Sequence, residues 1–168
     1  PRSTSSAASD VYKRQQIDAF MNNKGTKTVD YFHRKLGKII WNKCGMSRNE
    51  KNLKEAIKEV KALREAFYKE VYVPGTADSF NEPLAKALRV ADFMELGELF
   101  AKDALERFES CGGHFREESQ TPEGEALRDD ANFAFVSAWE YKGEPSEAKL
   151  HKEELNYENI ELKTRSYK

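Results

Sequence analysis

The sequence predicts a mainly α fold: a three-helix bundle with a loop-rich C-terminal extension that carries a small β-ribbon. Three observations predict it. Apolar residues recur at helical spacing in three runs across residues 28–110, each bounded by a capping residue or a breaker. After Gly113 the stripes give way to glycine, proline and charge. Large and small residues then alternate at strand period through residues 133–141.

Residues 1–15 (PRSTSSAASDVYKRQ) are Ser/Ala-rich and have no periodic apolar pattern. They look like a translated adapter and are set aside as a non-native or disordered extension, a native linker being the alternative. The helical domain is then residues 16–113, and the tail is residues 114–168. The first helix opens near Thr28, whose hydroxyl can accept from free amides. Val29, Phe32, Leu36, Ile39 and Ile40 form its apolar face, and Gly45 stops it. Asn49 offers a cap for the second helix, with a stripe of Leu53, Ile57, Val60, Leu63, Phe67 and Val71. Lys and Glu fill its other face, and Pro74 with Gly75 ends it.

The third helix opens near Asn81 with Pro83 in its first turn, where a missing amide hydrogen costs nothing. It is expected to run to about Ser110 and to end on Gly112 and Gly113. Leu84, Leu88, Ala91, Leu99, Ala104, Leu105 and Phe108 mark its buried face, and its alanines and Gly97 permit close approach. In the tail, Phe133, Phe135, Ser137, Trp139 and Tyr141 predict one strand; Gly143 and Pro145 predict a turn. Leu155, Tyr157, Ile160 and Leu162 suggest a second extended segment. A lone two-stranded ribbon is marginal in water, so it is expected to pack on the helices or on another part of a larger protein.

Lys and Arg total 28 against 29 Asp and Glu, so the chain has no net field to draw nucleic acid or an acidic membrane. No apolar run approaches the roughly twenty residues of a spanning helix, so no membrane insertion is expected. Cys44 and Cys111 read as reduced thiols. No glycine-rich phosphate loop, HExxH, CxxC pair or GxSxG occurs. Catalytic, cofactor-binding and metal-binding residues are therefore expected to be absent from this stretch.

The candidate functional residues cluster after the third helix: Ser110, Gly112, Gly113, His114, Arg116, Arg128, Asp129 and Asp130. They are expected to be structural or interface-forming. Arg116, Arg128, Asp129 and Asp130 read as an ion network that orders the loop, with a bidentate dicarboxylate site as the rival. His114 beside Glu117 and Glu118 has the composition of an acid–base pair, but a hydrogen-bonded structural histidine is the favoured reading. Cys111 and His114 are half of a zinc pattern whose other half is absent.

The order of these parts resembles the C-terminal region of the flavoprotein subunit of succinate dehydrogenase and fumarate reductase. Trp41 through Glu50 resembles that family's helix-to-helix junction, and LRVADFMELGELFAKDA from Leu88 resembles its long helix. Glu109, Ser110, Cys111, Gly112, Gly113 and His114 resemble its Glu-Ser-Arg-Gly-Ala-His element; Arg128, Asp129 and Asp130 resemble the Arg-Asp-Asp that follows. Arg165, Ser166 and Tyr167 resemble the way such subunits end. Cys111 stands where the pattern has arginine and Gly113 where it has alanine, which puts any contact of that arginine in doubt. The resemblance implies a parent that interconverts succinate and fumarate. FAD would lie upstream of this fragment, in a dinucleotide-binding domain covered by a capping domain. Electrons would pass through an iron–sulfur subunit to quinone, with a membrane anchor subunit holding the complex peripherally on the cytoplasmic side of the inner membrane. The fragment itself would carry no FAD and no activity. L-Aspartate oxidase, a relative, and a free-standing helical interaction module are the alternatives.

Overall fold

The structure is a computed structural model that describes residues 4–161 and 163. The helices are α1 (Thr4–Asn22), α2 (Val29–Lys43), α3 (Glu50–Glu70), α4 (Glu82–Glu106) and the single turn α5 (Asp130–Phe133). Short strands β1 (Lys27–Thr28), β2 (Ser47–Arg48), β3 (Val71–Tyr72) and β4 (Phe115–Arg116) lie between them. The ribbon is β5 (Phe135–Glu140) and β6 (Lys149–Glu154). The mainly α class is what the sequence predicts, and α2, α3 and α4 are its three helices. Helix α1 runs through most of the Ser/Ala-rich stretch set aside above, and its Phe20 is buried.

The helix starts are local chemistry. The Thr28 hydroxyl accepts the Tyr31 amide at 3.3 Å, Asn49 Oδ1 accepts the Asn52 amide at 2.8 Å, and Asn81 Oδ1 accepts the Leu84 amide at 2.9 Å. Asn81 Nδ2 also donates to the Pro74 and Thr76 carbonyls, closing the turn before α4. The end of α4 differs from expectation. It stops at Glu106, because the Ser110 amide leaves the helix for the Leu127 carbonyl at 2.9 Å. Phe108, expected on the buried face, is 49% exposed.

The chain divides into two compact units, Pro1–Lys38 with Glu59–Gly97 and Ile39–Lys58 with Glu98–Lys168. In the first unit, Phe67 meets Phe20 and Phe32 edge-on, with ring centres 5.4 and 5.2 Å away. Val60, Val71, Val90 and Met94 are fully buried in the same unit. Strands β1 and β3 pair in parallel, Lys27 opposite Val71 and Thr28 opposite Tyr72. The ion pairs Lys27–Glu70 and Lys86–Asp30 are largely exposed and contribute little.

In the second unit, Cys44, Leu53, Ala56, Ala101 and Ala104 are buried together, with Ile39, Ile40, Ile57 and Leu105 packed against them. The small side chains of α4 allow this close packing, as its composition suggests. Strands β5 and β6 are antiparallel, from Phe135 opposite Glu154 to Glu140 opposite Lys149. The second strand therefore precedes the predicted segment. Its residues are mostly charged and exposed, so the apolar alternation of a half-buried strand is missing. Tyr157 and Ile160 lie beyond it and are exposed; Leu162 is outside the described residues.

The ribbon packs on α4, as expected. Trp139 Nε1 donates to Asp103 at 2.8 Å. The Lys102 ammonium donates to the carbonyls of Pro145, Ser146 and Ala148 and lies 4.8 Å from the Trp139 ring centre. Replacing Lys102 with methionine keeps the stem but leaves these carbonyls without their cation. The expected cost is about 1–2 kcal/mol. Urea unfolding followed by Trp139 fluorescence in a Trp41→Phe background measures it; an unchanged midpoint would mean that the ribbon is held without Lys102. Among the described residues no helix is long and apolar enough to cross a membrane.

Candidate functional site: the 107–130 segment

The segment begins as a tight hairpin. The Cys111 amide donates to the His114 carbonyl at 2.9 Å and the His114 amide to the Cys111 carbonyl at 3.0 Å, leaving Gly112 and Gly113 as the turn. Gly112 has φ +58°, and Gly113 is not at positive φ. A left-handed first turn residue is the II′ pattern that suits the twist of paired strands. The glycines are therefore a hairpin turn, not the helix end expected of them. Cys111 is exposed, and its backbone makes the bridge, so the turn does not depend on an arginine there.

Ser110 is fully buried and ties the base of the hairpin. Its hydroxyl accepts the Arg116 amide at 2.8 Å and donates to the Arg116 carbonyl at 3.2 Å. Strand β4 then pairs in parallel with β2, Ser47 opposite Phe115 and Arg48 opposite Arg116. Glu118 accepts the Glu50 amide at 2.6 Å, which places a carboxylate at the positive end of α3. Glu117 accepts from Ser47 and Asn49 at 2.7 and 2.9 Å. These contacts dock the hairpin on the α2–α3 junction.

Arg116 is the central side chain, with 0% exposure. Nη1 donates to the carbonyls of Ala104 and Leu105 at 3.0 and 3.2 Å, and Nε to Glu118 at 3.0 Å. Both carbonyls belong to the last turn of α4, which has no intrahelical donors left for them. The guanidinium carbon lies 4.6 Å from the Phe108 ring centre. Nη2 is buried without a hydrogen-bond partner.

His114 sits between two arginines. Its Nε2 is 2.8 Å from the Arg107 carbonyl, which only accepts, so Nε2 carries the proton. Its Nδ1 is 2.8 Å from Arg48 Nη1, which only donates, so Nδ1 is the bare acceptor. Burial, more than the nearby Arg48, Arg116 and Arg107 charges, pushes the imidazole below its ordinary value of 6.5. Glu117 and Glu118 face α3, and both ring nitrogens are committed, so the acid–base pairing with these residues does not form.

The expected ion network splits into parts. Arg116 pairs with Glu118, and Arg128 pairs with Asp130 at 2.6 Å. Asp129 caps α5 by accepting the Asn132 amide at 3.3 Å. A further hub forms where sequence reasoning placed no role. Arg107 donates to Glu109 at 2.7 Å and to the carbonyls of Phe133 and Phe135 at 3.1 and 3.0 Å. Glu109, itself buried, accepts the Asp129 amide at 3.0 Å. Arg107 and Glu109 stand two apart, a spacing at which helical side chains do not meet, so their pairing goes with the end of α4 at Glu106. Arg48 lies inside the Trp41–Glu50 stretch of the family resemblance, but nothing in the sequence gives it a role of its own.

Among the described residues no three His, Cys, Asp or Glu side chains gather to hold a metal. Cys44 is buried, and burial pushes its thiol up, away from nucleophilic use. A dinucleotide fold needs a parallel sheet with a glycine-rich turn into a helix, whereas the parallel pairs here are two residues long. A helical scaffold clamped by a buried-arginine hairpin is the module that these residues build.

Comparison with known proteins gives that module a family. The model described as fumarate reductase flavoprotein C-term matches residues 33–167. The fumarate reductase flavoprotein subunit of Proteus vulgaris is 30% identical over 117 residues, covering 70% of this chain and 19% of that protein. The Escherichia coli (strain K12) subunit is 28% identical over 119 residues, covering 71% and 19%. A Mycobacterium smegmatis Sdh1 complex in the apo form superposes with TM-score 0.73 at 22% identity over 95% of this chain and 26% of that one. A quinol-fumarate reductase with menaquinol molecules gives 0.71 at 22% identity over 99% and 27%. At such identity these structures show the fold. The chain belongs to the fumarate reductase flavoprotein C-terminal family, and it spans about a fifth of the length of the curated relatives it matches.

Proposed function

We propose that this chain is the C-terminal part of a succinate dehydrogenase or fumarate reductase flavoprotein subunit, and that it is structural and interface-forming. In this reading the parent interconverts succinate and fumarate on FAD held in its upstream domains. It passes electrons through an iron–sulfur subunit to quinone, on the cytoplasmic side of the inner membrane beside a membrane anchor subunit. The observation that carries the reading is the family match over residues 33–167. The structural role is supported by how the charged segment is used: Arg107, Arg116, Glu109, Glu117 and Glu118 hold backbone groups and one another. Ser110, Gly112, Gly113, His114, Arg128, Asp129 and Asp130 complete the same loop.

The purified chain, incubated with FAD, dialysed against flavin-free buffer and assayed for dye-linked succinate oxidation, is expected to retain no flavin and show no turnover. Stoichiometric flavin in the dialysed chain would defeat the reading. For the parent, co-purification with an iron–sulfur subunit is expected; oxidation of L-aspartate by a flavoprotein lacking one would transfer the chain to the L-aspartate oxidase branch.

A further inference from the structure

We propose that His114 is a pH-sensitive latch, which ties the 111–118 hairpin to the α2–α3 junction when neutral and releases it when protonated. The inference stands on two bonds that fix one tautomer. Nε2 donates to the Arg107 carbonyl and Nδ1 accepts from Arg48, each at 2.8 Å. Protonation puts a hydrogen on Nδ1, so that a donor faces the Arg48 donor and the bond is lost.

Arg48 has little freedom to yield. Its Nε donates to the Gly45 carbonyl at 2.7 Å, and its guanidinium carbon lies 5.0 Å from the Phe100 ring centre. Positive groups face the ring from each neighbouring element: Arg48 on β2, Arg107 after α4 and Arg116 on β4. The nearby acids are already engaged. Glu109 holds Arg107, Glu118 holds Arg116, and Glu117 holds Ser47 and Asn49. Asp103 on α4 and the buried Cys44 thiol act on Arg48 rather than on the imidazole. An imidazolium therefore gains no carboxylate partner in exchange for the bond it loses.

The sign follows from linkage. The folded value lies below the ordinary 6.5, so an opened or unfolded state takes up the proton first. The latch is complete above the unfolded value and is lost as pH falls through the folded one. Its release reaches the β2–β4 pair, where the Glu117 amide donates to the Arg48 carbonyl at 2.8 Å and the Phe115 amide to the Met46 carbonyl at 3.3 Å.

The test is NMR of the whole chain, reading imidazole nitrogens and backbone amide exchange from about pH 8 to about pH 5, the range in which histidine switches. The expected result is the Nε2–H tautomer for His114 at the upper end. As the ring titrates, protection of the Glu117 and Phe115 amides, corrected for intrinsic exchange, should fall about tenfold, equal to ~1.4 kcal/mol. His114→Gln retains a donor for Arg107 and an acceptor for Arg48, so its amides should stay protected throughout. An Nδ1–H tautomer, titration with no change at these amides, or the same loss in His114→Gln would each overturn the latch. The wild-type titration decides the matter alone if the variant does not fold. Its outcome is independent of whether the parent carries FAD.

Discussion

Alanine at position 25 is expected to destabilise the first unit by about 3 kcal/mol, the upper range for overpacking. A Cβ there would stand 2.1 Å from the Glu70 carbonyl oxygen, 2.2 Å from the Glu70 carbonyl carbon and 2.6 Å from the Val71 oxygen. All three are backbone atoms, so no side chain can swing away to relieve the clash. The chain must instead push β1 and β3 apart, which breaks the register of Lys27 opposite Val71. Val71 is fully buried, so the displacement also opens packing. Gly37 supplies the control. It lies inside α2, and a Cβ there meets nothing within 4 Å. Gly37→Ala should therefore stabilise by up to about 1 kcal/mol through helix propensity. Urea unfolding followed by circular dichroism compares the two; equal midpoints would refute the close approach at Gly25.

Arg116→Met is the second large effect, expected at about 3 kcal/mol. The substitution removes the donors to Ala104 and Leu105 and the pairing with Glu118. The two carbonyls lie at the end of α4 in a buried setting, so water does not readily replace the guanidinium. Glu118 is partly exposed and keeps its bond to the Glu50 amide, which limits the loss on that side. Methionine also removes the buried unpartnered Nη2, a gain that offsets part of the cost. Arg116→Lys keeps the charge but cannot reach two carbonyls and a carboxylate in one plane, so it should be destabilised as well. Amide exchange should quicken first in the last turn of α4. A loss below about 1 kcal/mol in either variant would mean that water or Phe108 closes the helix end without this side chain.

The helix starts were legible because Thr28, Asn49 and Asn81 each accept from an amide three residues on. That chemistry is written within a few consecutive residues. The end of α4 was not legible, because distant groups decide it: Leu127 takes the Ser110 amide, and Phe133 and Phe135 take Arg107. Reading Gly112 and Gly113 as a helix end followed from placing that end too late. The position of β6 is not legible for another reason. It is held by its ladder to β5 and shows solvent on most positions, so hydrophobic period carried no signal. Arg116 is visible as a candidate, but two of its partners, the Ala104 and Leu105 carbonyls, lie on α4, beyond the reach of a local reading. The Arg48–His114 contact spans 66 positions and could not be read from either residue alone.

If this chain continues a longer flavoprotein, as proposed above, the source DNA upstream of the codon for residue 20 encodes the rest of it, and sequencing that DNA decides the question. The expected result is one open frame running upstream into a strand, a G-x-G-x-x-G turn and a helix, an FAD fingerprint that does not occur in residues 1–168. A stop codon in that frame, followed by a start at Met21, would contradict it and leave a free-standing helical module.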